Sequence, residues 1–156
     1  MPHELVHLTA GGVSLVLDCR DDALPAVVHW GAALGPLDTD ALTALADADV
    51  APVAPNEMDD PVRLSVLPEP HRGWNGRPGL AGHRDGADWS PAFTVTSLAV
   101  TDSAVTDSAV TADAEDTVAG LTVRVIIEML GSGLVRARAS VTNTADGVYT
   151  VDDLTL

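Results

Sequence analysis

Two stretches of strict alternation set what this chain can fold into. Leu121, Val123, Val125, Ile127 and Met129 alternate with Thr122, Arg124, Ile126 and Glu128. After Gly131-Ser132-Gly133 the pattern resumes, with Val135, Ala137, Ala139 and Val141 set against Arg136 and Arg138. A period of two sends one set of side chains to a buried face and the other to solvent. The glycine-rich turn joins the two runs as an antiparallel hairpin. A hairpin with one apolar face needs a second layer to cover it.

The rest of the chain supplies that layer. Residues 5–9, 13–19, 24–30, 63–67, 94–100 and 148–156 read as further strands, and Ala10-Gly11-Gly12 turns the first into the second. Pro25 near the start of the third suits an edge or a first-residue position. One helix is expected over 38–48, capped by Asp38 or Thr39, with Leu42, Leu45 and Ala46 on one face and Pro52 beyond its end. The fold class is therefore all-β, a mainly antiparallel β-sandwich with one short helix near 38–48. At 156 residues the chain is expected to form a single domain over 1–156. Its ending, Asp-Leu-Thr-Leu, reads as a cut through a sheet. The domain is then incomplete, and an edge left unpaired after residue 148 would invite association.

Thr101-Asp-Ser-Ala-Val105 is repeated as Thr106-Asp-Ser-Ala-Val110. Five is odd, so in one regular strand the two copies would point their valines to opposite faces. The duplication is expected at a surface hairpin, where insertions are tolerated.

Residues 68–93 have neither period. They hold five of the 13 glycines, two of the three tryptophans and the only phenylalanine. Residues 63–93 carry Arg63, Arg72, Arg77 and Arg84 against Glu69, Asp85 and Asp88, a local charge of +1 in a chain of formal charge −15. Flat aromatic faces, forked guanidinium donors and imidazoles on a glycine-punctuated loop suit a polar, ring-shaped ligand such as a sugar. The plainer reading is a long ordered loop whose tryptophans cover the edge of a core, and composition alone places it slightly ahead.

Charge and spacing narrow the function further. A pI near 4.3 with no lysine opposes binding to nucleic acid or to an anionic membrane surface. The lone Cys19 falls in phase with Val13, Leu15 and Leu17, so it reads as a small core residue. The first residues lack a basic, then apolar, secretory pattern, and with a single cysteine this points to the cytoplasm. His3 and His7 sit four apart in a strand pattern, too far apart to chelate, while His71 and His83 are twelve apart without cysteine partners. No metal and no cofactor are expected. The carboxylates at 59–60 and 152–153 read as turn or edge residues, and Glu128 with Arg124 as a solvated pair. No catalytic residue is nominated.

The order of motifs carries a resemblance. Val13-Ser-Leu-Val-Leu, Val28-His29-Trp30-Gly31-Ala32, Gly73-Trp74-x-Gly76-Arg77-Pro78-Gly79-Leu80-x-Gly82-His83-Arg84 and Asp88-Trp89-Ser90-Pro91-x-Phe93 together resemble the N-terminal domain of actinobacterial α-galactosidases of glycoside hydrolase family 36. The resemblance implies a β-supersandwich followed by a catalytic (β/α)8 barrel that carries two aspartates outside this chain. Such enzymes act on terminal α-galactosyl groups of oligosaccharides through a two-carboxylate retaining scheme.

The resemblance also implies a homo-oligomer in which a loop of this domain, here 73–93, reaches a neighbouring active site. Trp74 and Trp89 would then stack on a sugar, with Arg77 beside them, while His83, Arg84 and Asp88 would hydrogen-bond its hydroxyls. Ser90 stands where some members carry an arginine. The alternatives are a stand-alone carbohydrate-binding module and a loop serving only oligomerisation.

Overall fold

The computed structural model describes residues 5–53, 55–56, 63–101 and 108–156. His3, Asp59, Asp60 and most of the pentapeptide duplication lie outside these residues. Strands β1 (Leu5–Ala10), β2 (Val13–Asp18) and β3 (Ala26–Ala32) form one antiparallel sheet in that order. Strands β4 (Leu80–His83), β5 (Thr94–Thr101), β6 (Ser108–Asp116), β7 (Leu121–Met129), β8 (Val135–Asn143) and β9 (Thr150–Leu154) follow. β5 to β8 make a four-stranded antiparallel meander, and β4 pairs with β9. Helix α1 (Thr39–Asp49) and a single 3-10 turn, Pro70–Arg72, lie between β3 and β4.

The β7–β8 register explains how a chain with 3% aromatic residues fills a sandwich. Val123 stands opposite Ala114 and Val141, Val125 opposite Ala112 and Ala139, and Ile127 opposite Val110 and Ala137. Small neighbours beside each branched residue leave room for leucines of the facing sheet to interdigitate. Leu8, Leu15 and Leu17 supply these, joined by Leu24, Leu67 and Phe93 in one buried cluster. Each such side chain contributes about 1.5–3 kcal/mol by leaving water.

The three-stranded sheet is covered on both sides. Ser14, Val16 and Asp18 are as buried as Leu15 and Leu17 between them, and α1 lies against β1 and β3. The helix starts where expected, because Asp38 Oδ1 accepts the Ala41 N–H at 2.8 Å. Ala46 is its buried residue. Asp18 ties the helix to the sheet: its carboxylate takes Arg20 Nε and Nη2 at 3.0 and 2.9 Å, and Arg20 Nη1 reaches Asp47 on α1 at 3.1 Å. Arg63 Nη2 adds a second guanidinium at 2.5 Å, close enough for charge pairing but without hydrogen-bond alignment.

Three expectations change. Residues 63–67 form no strand: Ser65 makes one bridge to Ala26, and its hydroxyl donates locally to the Leu67 carbonyl at 2.6 Å, turning the backbone off the ladder. Glu128 does not pair with Arg124 along the strand. It takes Arg136 and Arg138 from β8, while Arg124 takes Asp113 from β6, because cross-strand neighbours lie closer than residues four apart on one strand. Residues 152–153 form no turn: they lie in β9, which pairs with β4 on one side, with Asp153 opposite Ala81 and Asp152 at the register shift.

β6 is a strand absent from the sequence reading. It enters at Ser108, in the second pentapeptide copy, and pairs back onto β5, which ends at Thr101.

Candidate functional site

The stretch 68–93 is an excursion with its two ends held together. It leaves the core after buried Leu67, makes the 3-10 turn, and returns through buried Phe93 into β5. In between, β4 lies antiparallel to β9, pairing Leu80 with Leu154 and His83 with Thr150. Gly82 permits this approach, because a β-carbon there would collide with the Thr150 carbonyl and the Tyr149 ring. Short β4 was hidden in the sequence because its partner lies some 70 residues away and one of its inward positions has no side chain.

Where β4, β9 and the return of the loop meet, they border an open cleft of about 480 Å³. Its walls include Pro70, Pro78, His83, Trp89 and Asp152. Trp89 is 66% exposed, an indole held in solvent beside a concave surface. His83 Nδ1 accepts the Gly86 N–H at 3.1 Å, which in the neutral ring puts the proton on Nε2 as a donor. Asp152 adds a carboxylate acceptor from the neighbouring strand. An aromatic plane, an N–H donor and a carboxylate in a shallow cleft match the alternating apolar and hydroxyl faces of a pyranose.

The other four candidates are placed differently. Arg84 lies beneath the loop, donating from Nη1 to the Asp146 carbonyl at 2.9 Å and from Nη2 to Asn143 Oδ1 and the Ala119 carbonyl at 2.8 and 3.1 Å. Its Nε faces Asp88 at 3.6 Å, and its guanidinium lies over the Tyr149 ring. Asp88, at φ 55°, also presents its carbonyl to the Tyr149 hydroxyl at 3.1 Å. Burial, followed by the Asp88 charge, pushes the Tyr149 phenol above its ordinary value, so that hydroxyl stays a donor. Trp74 donates Nε1–H to the Arg77 carbonyl at 2.8 Å and lies against Gly76. Arg77, 72% exposed, grips Asp153 through Nε and Nη2 at 2.9 and 2.8 Å.

His83 and Trp89 thus share the cleft. Arg84 with Asp88 and Trp74 with Arg77 fasten the loop to β9 and the meander. Sequence reasoning missed Asp152, Tyr149 and Glu69. The only tyrosine of the chain, and an acid between Pro68 and Pro70, were the available signals.

A larger cleft of about 1440 Å³ opens beside Leu24, Val28, Trp30, Ile127 and Ala137. Asp18, Arg20 and Arg63, bonded to each other, line it together with Asp49, His71 and Arg72. The smaller cleft is the candidate because it brings together His83 and Trp89, two of the six residues singled out from the sequence, and the larger one is lined by none of the six. Among the described residues no group of three metal-ligating side chains comes together, and no helix is long and apolar enough to cross a membrane.

Comparison with known proteins bears on this arrangement. Residues 23–156 match the family model of the glycosyl hydrolase family 36 N-terminal domain. An α-galactosidase of Escherichia coli is 31% identical over 126 residues, covering 81% of this chain and 16% of that protein. Among solved structures, a variant of the family 36 α-galactosidase AgaA of Geobacillus stearothermophilus in complex with 1-deoxygalactonojirimycin superimposes with a TM-score of 0.68. It is 16% identical, with 90% of this chain and 22% of that chain covered. A second AgaA variant, in complex with stachyose, gives a TM-score of 0.68 at 15% identity over the same shares. This chain spans about a sixth to a fifth of the length of these relatives. The family match and the sandwich agree: this chain belongs to glycoside hydrolase family 36, and it corresponds to that family's N-terminal domain.

Proposed function

We propose that the chain is the N-terminal domain of an α-galactosidase and that it shapes the entrance through which an oligosaccharide reaches a catalytic barrel. The match over residues 23–156, together with the E. coli relative, supports the enzyme class. One observation carries the role: Trp89 stands exposed over a cleft that also presents His83 and Asp152. The ligand class is an oligosaccharide with a terminal α-galactosyl group, such as melibiose or raffinose.

The chemistry is assigned to two carboxylates of the barrel, beyond these residues. Retaining hydrolysis needs a nucleophile and an acid/base about 5 Å apart across the sugar. Glu69, Asp113, Glu128 and Asp153 are each committed to arginine partners. In this role Trp89 holds a sugar face by dispersion, while His83 Nε2–H and Asp152 orient hydroxyls. A loop that projects from the sandwich in this way is also suited to a neighbouring subunit of a homo-oligomer.

The purified chain, mixed with a chromogenic α-galactoside, is expected to leave it intact while raffinose binds saturably. Hydrolysis surviving rigorous purification would contradict the assignment of catalysis to the barrel.

A further inference from the structure

The two ends of the 68–93 excursion are joined through Glu69 and Arg72, an ion pair that holds the backbone of Phe93. The Glu69 side chain is 3% exposed. Its Oε1 accepts the Phe93 N–H at 3.1 Å, and its Oε2 accepts Arg72 Nε at 3.1 Å. Arg72 Nη2 in turn donates to the Phe93 carbonyl at 3.3 Å. Glu69 and Arg72 therefore satisfy both backbone polar groups of the residue that leads into β5, as a neighbouring strand would.

β4 and β9 contribute Ala81, Gly82, His83 and Asp152 to the cleft. Pro70 adjoins Glu69, and Trp89 lies four residues before Phe93. Both line the cleft, and both lie outside the ladder. The tie between residues 69 and 93 joins these two segments directly, while Asp88 and Ala92 on the Trp89 side are held separately, by the Tyr149 hydroxyl and the Asp116 carboxylate.

The geometry points to Glu69, acting with Arg72, as a positioning residue that sets the width of the cleft between Pro70 and Trp89. This rests on the reading of that cleft as the oligosaccharide site. Burial pushes the Glu69 carboxyl above its ordinary value, and the Phe93 N–H and the Arg72 charge only partly oppose it. What the pair supplies is a fixed geometry at the neck.

The test is made on the full chain with Glu69→Gln, which keeps the side chain's size and turns one acceptor into a donor aimed at other donors. Arg72→Lys, which keeps the charge and loses the fork, serves as the second variant should the first not fold. Three quantities are read: amide hydrogen exchange across 86–92, the midpoint of urea unfolding, and raffinose binding by tryptophan emission. We expect exchange at 86–92 to accelerate about tenfold or more and raffinose affinity to fall by a similar factor, with any drop in the unfolding midpoint smaller than the local effect.

Wild-type exchange at 86–92 in a folded variant would overturn the proposal. So would faster exchange spread over β5 to β8 with a lowered midpoint, the mark of a merely structural role. Local acceleration in a protein whose wild type never binds raffinose would leave the neck clasp standing and remove the sugar reading.

Discussion

Asp18 and Glu69 are both buried carboxylates bound to arginine, and their surroundings push them in opposite directions. Burial raises both. At Asp18, the Arg20 side chain and backbone N–H and the charge of Arg63 more than offset it, and the carboxyl sits below its ordinary 3.8. At Glu69, one backbone N–H, one arginine and the nearby His71 do not, and the carboxyl sits above its ordinary 4.5. Asp18 fastens helix to sheet, in the part of the chain that must stay folded. Glu69 closes the neck of a loop whose shape matters more than its contribution to stability. The same residue chemistry serves cohesion in one region and geometry in the other.

The largest expected effect breaks the first half of the comparison. Asp18→Ala leaves two guanidinium groups facing a buried cavity and should cost about 3 kcal/mol, read as a lowered urea midpoint. A change below about 1 kcal/mol would show that the clamp is no more cohesive than the clasp. Next comes Gly82→Ala, which drives a methyl into the Thr150 carbonyl and the Tyr149 ring. It should cost about 2 kcal/mol through overpacking and detach β4 from β9, with amide exchange rising there before it rises in β7.

Acidification separates the two carboxylates by sign. Asp18 contributes stability above pH 3.8 that is lost as pH falls through its lowered folded value. Glu69 does the reverse. Protonation of the folded state below its raised value adds stability until the unfolded chain titrates near 4.5. The stability advantage of wild type over Asp18→Asn should therefore shrink on acidification, and that over Glu69→Gln should grow. Parallel pH curves would erase the distinction.

The smallest effect is on the meander's outer face. Arg136→Ala, removing an exposed partner of Glu128, should leave the urea midpoint close to wild type, and closer still in high salt.

The contrast also explains what could be read from the residues alone. Where neighbours in sequence decide structure, the pattern was visible: the β7–β8 alternation, the Gly11-Gly12 turn at φ 55° and 78°, and the Asp38 cap all stand where the spacing puts them. β6 was missed because its buried face is Ser108, Val110, Ala112, Ala114 and Asp116, too small and polar to register as an apolar stripe. The 68–93 stretch, read as having no period, holds a 3-10 turn and the short strand β4.

Its interior was beyond reach because it is organised by distant partners. Arg84 meets Asn143 and the Asp146 carbonyl, Arg77 meets Asp153, and Glu69 meets Phe93. The six candidates chosen for their chemistry therefore divide between the cleft and the fastenings beneath it. Asp152 joins the cleft only because β9 folds back onto β4.

The most direct measurement of the central claim is raffinose titration followed by tryptophan emission, in the wild type and in Trp30→Phe, Trp74→Phe and Trp89→Phe. We expect a saturable change that persists in the first two variants and disappears in Trp89→Phe. A change that survives Trp89→Phe, or no change in the wild type, would contradict the placement of an oligosaccharide in this cleft.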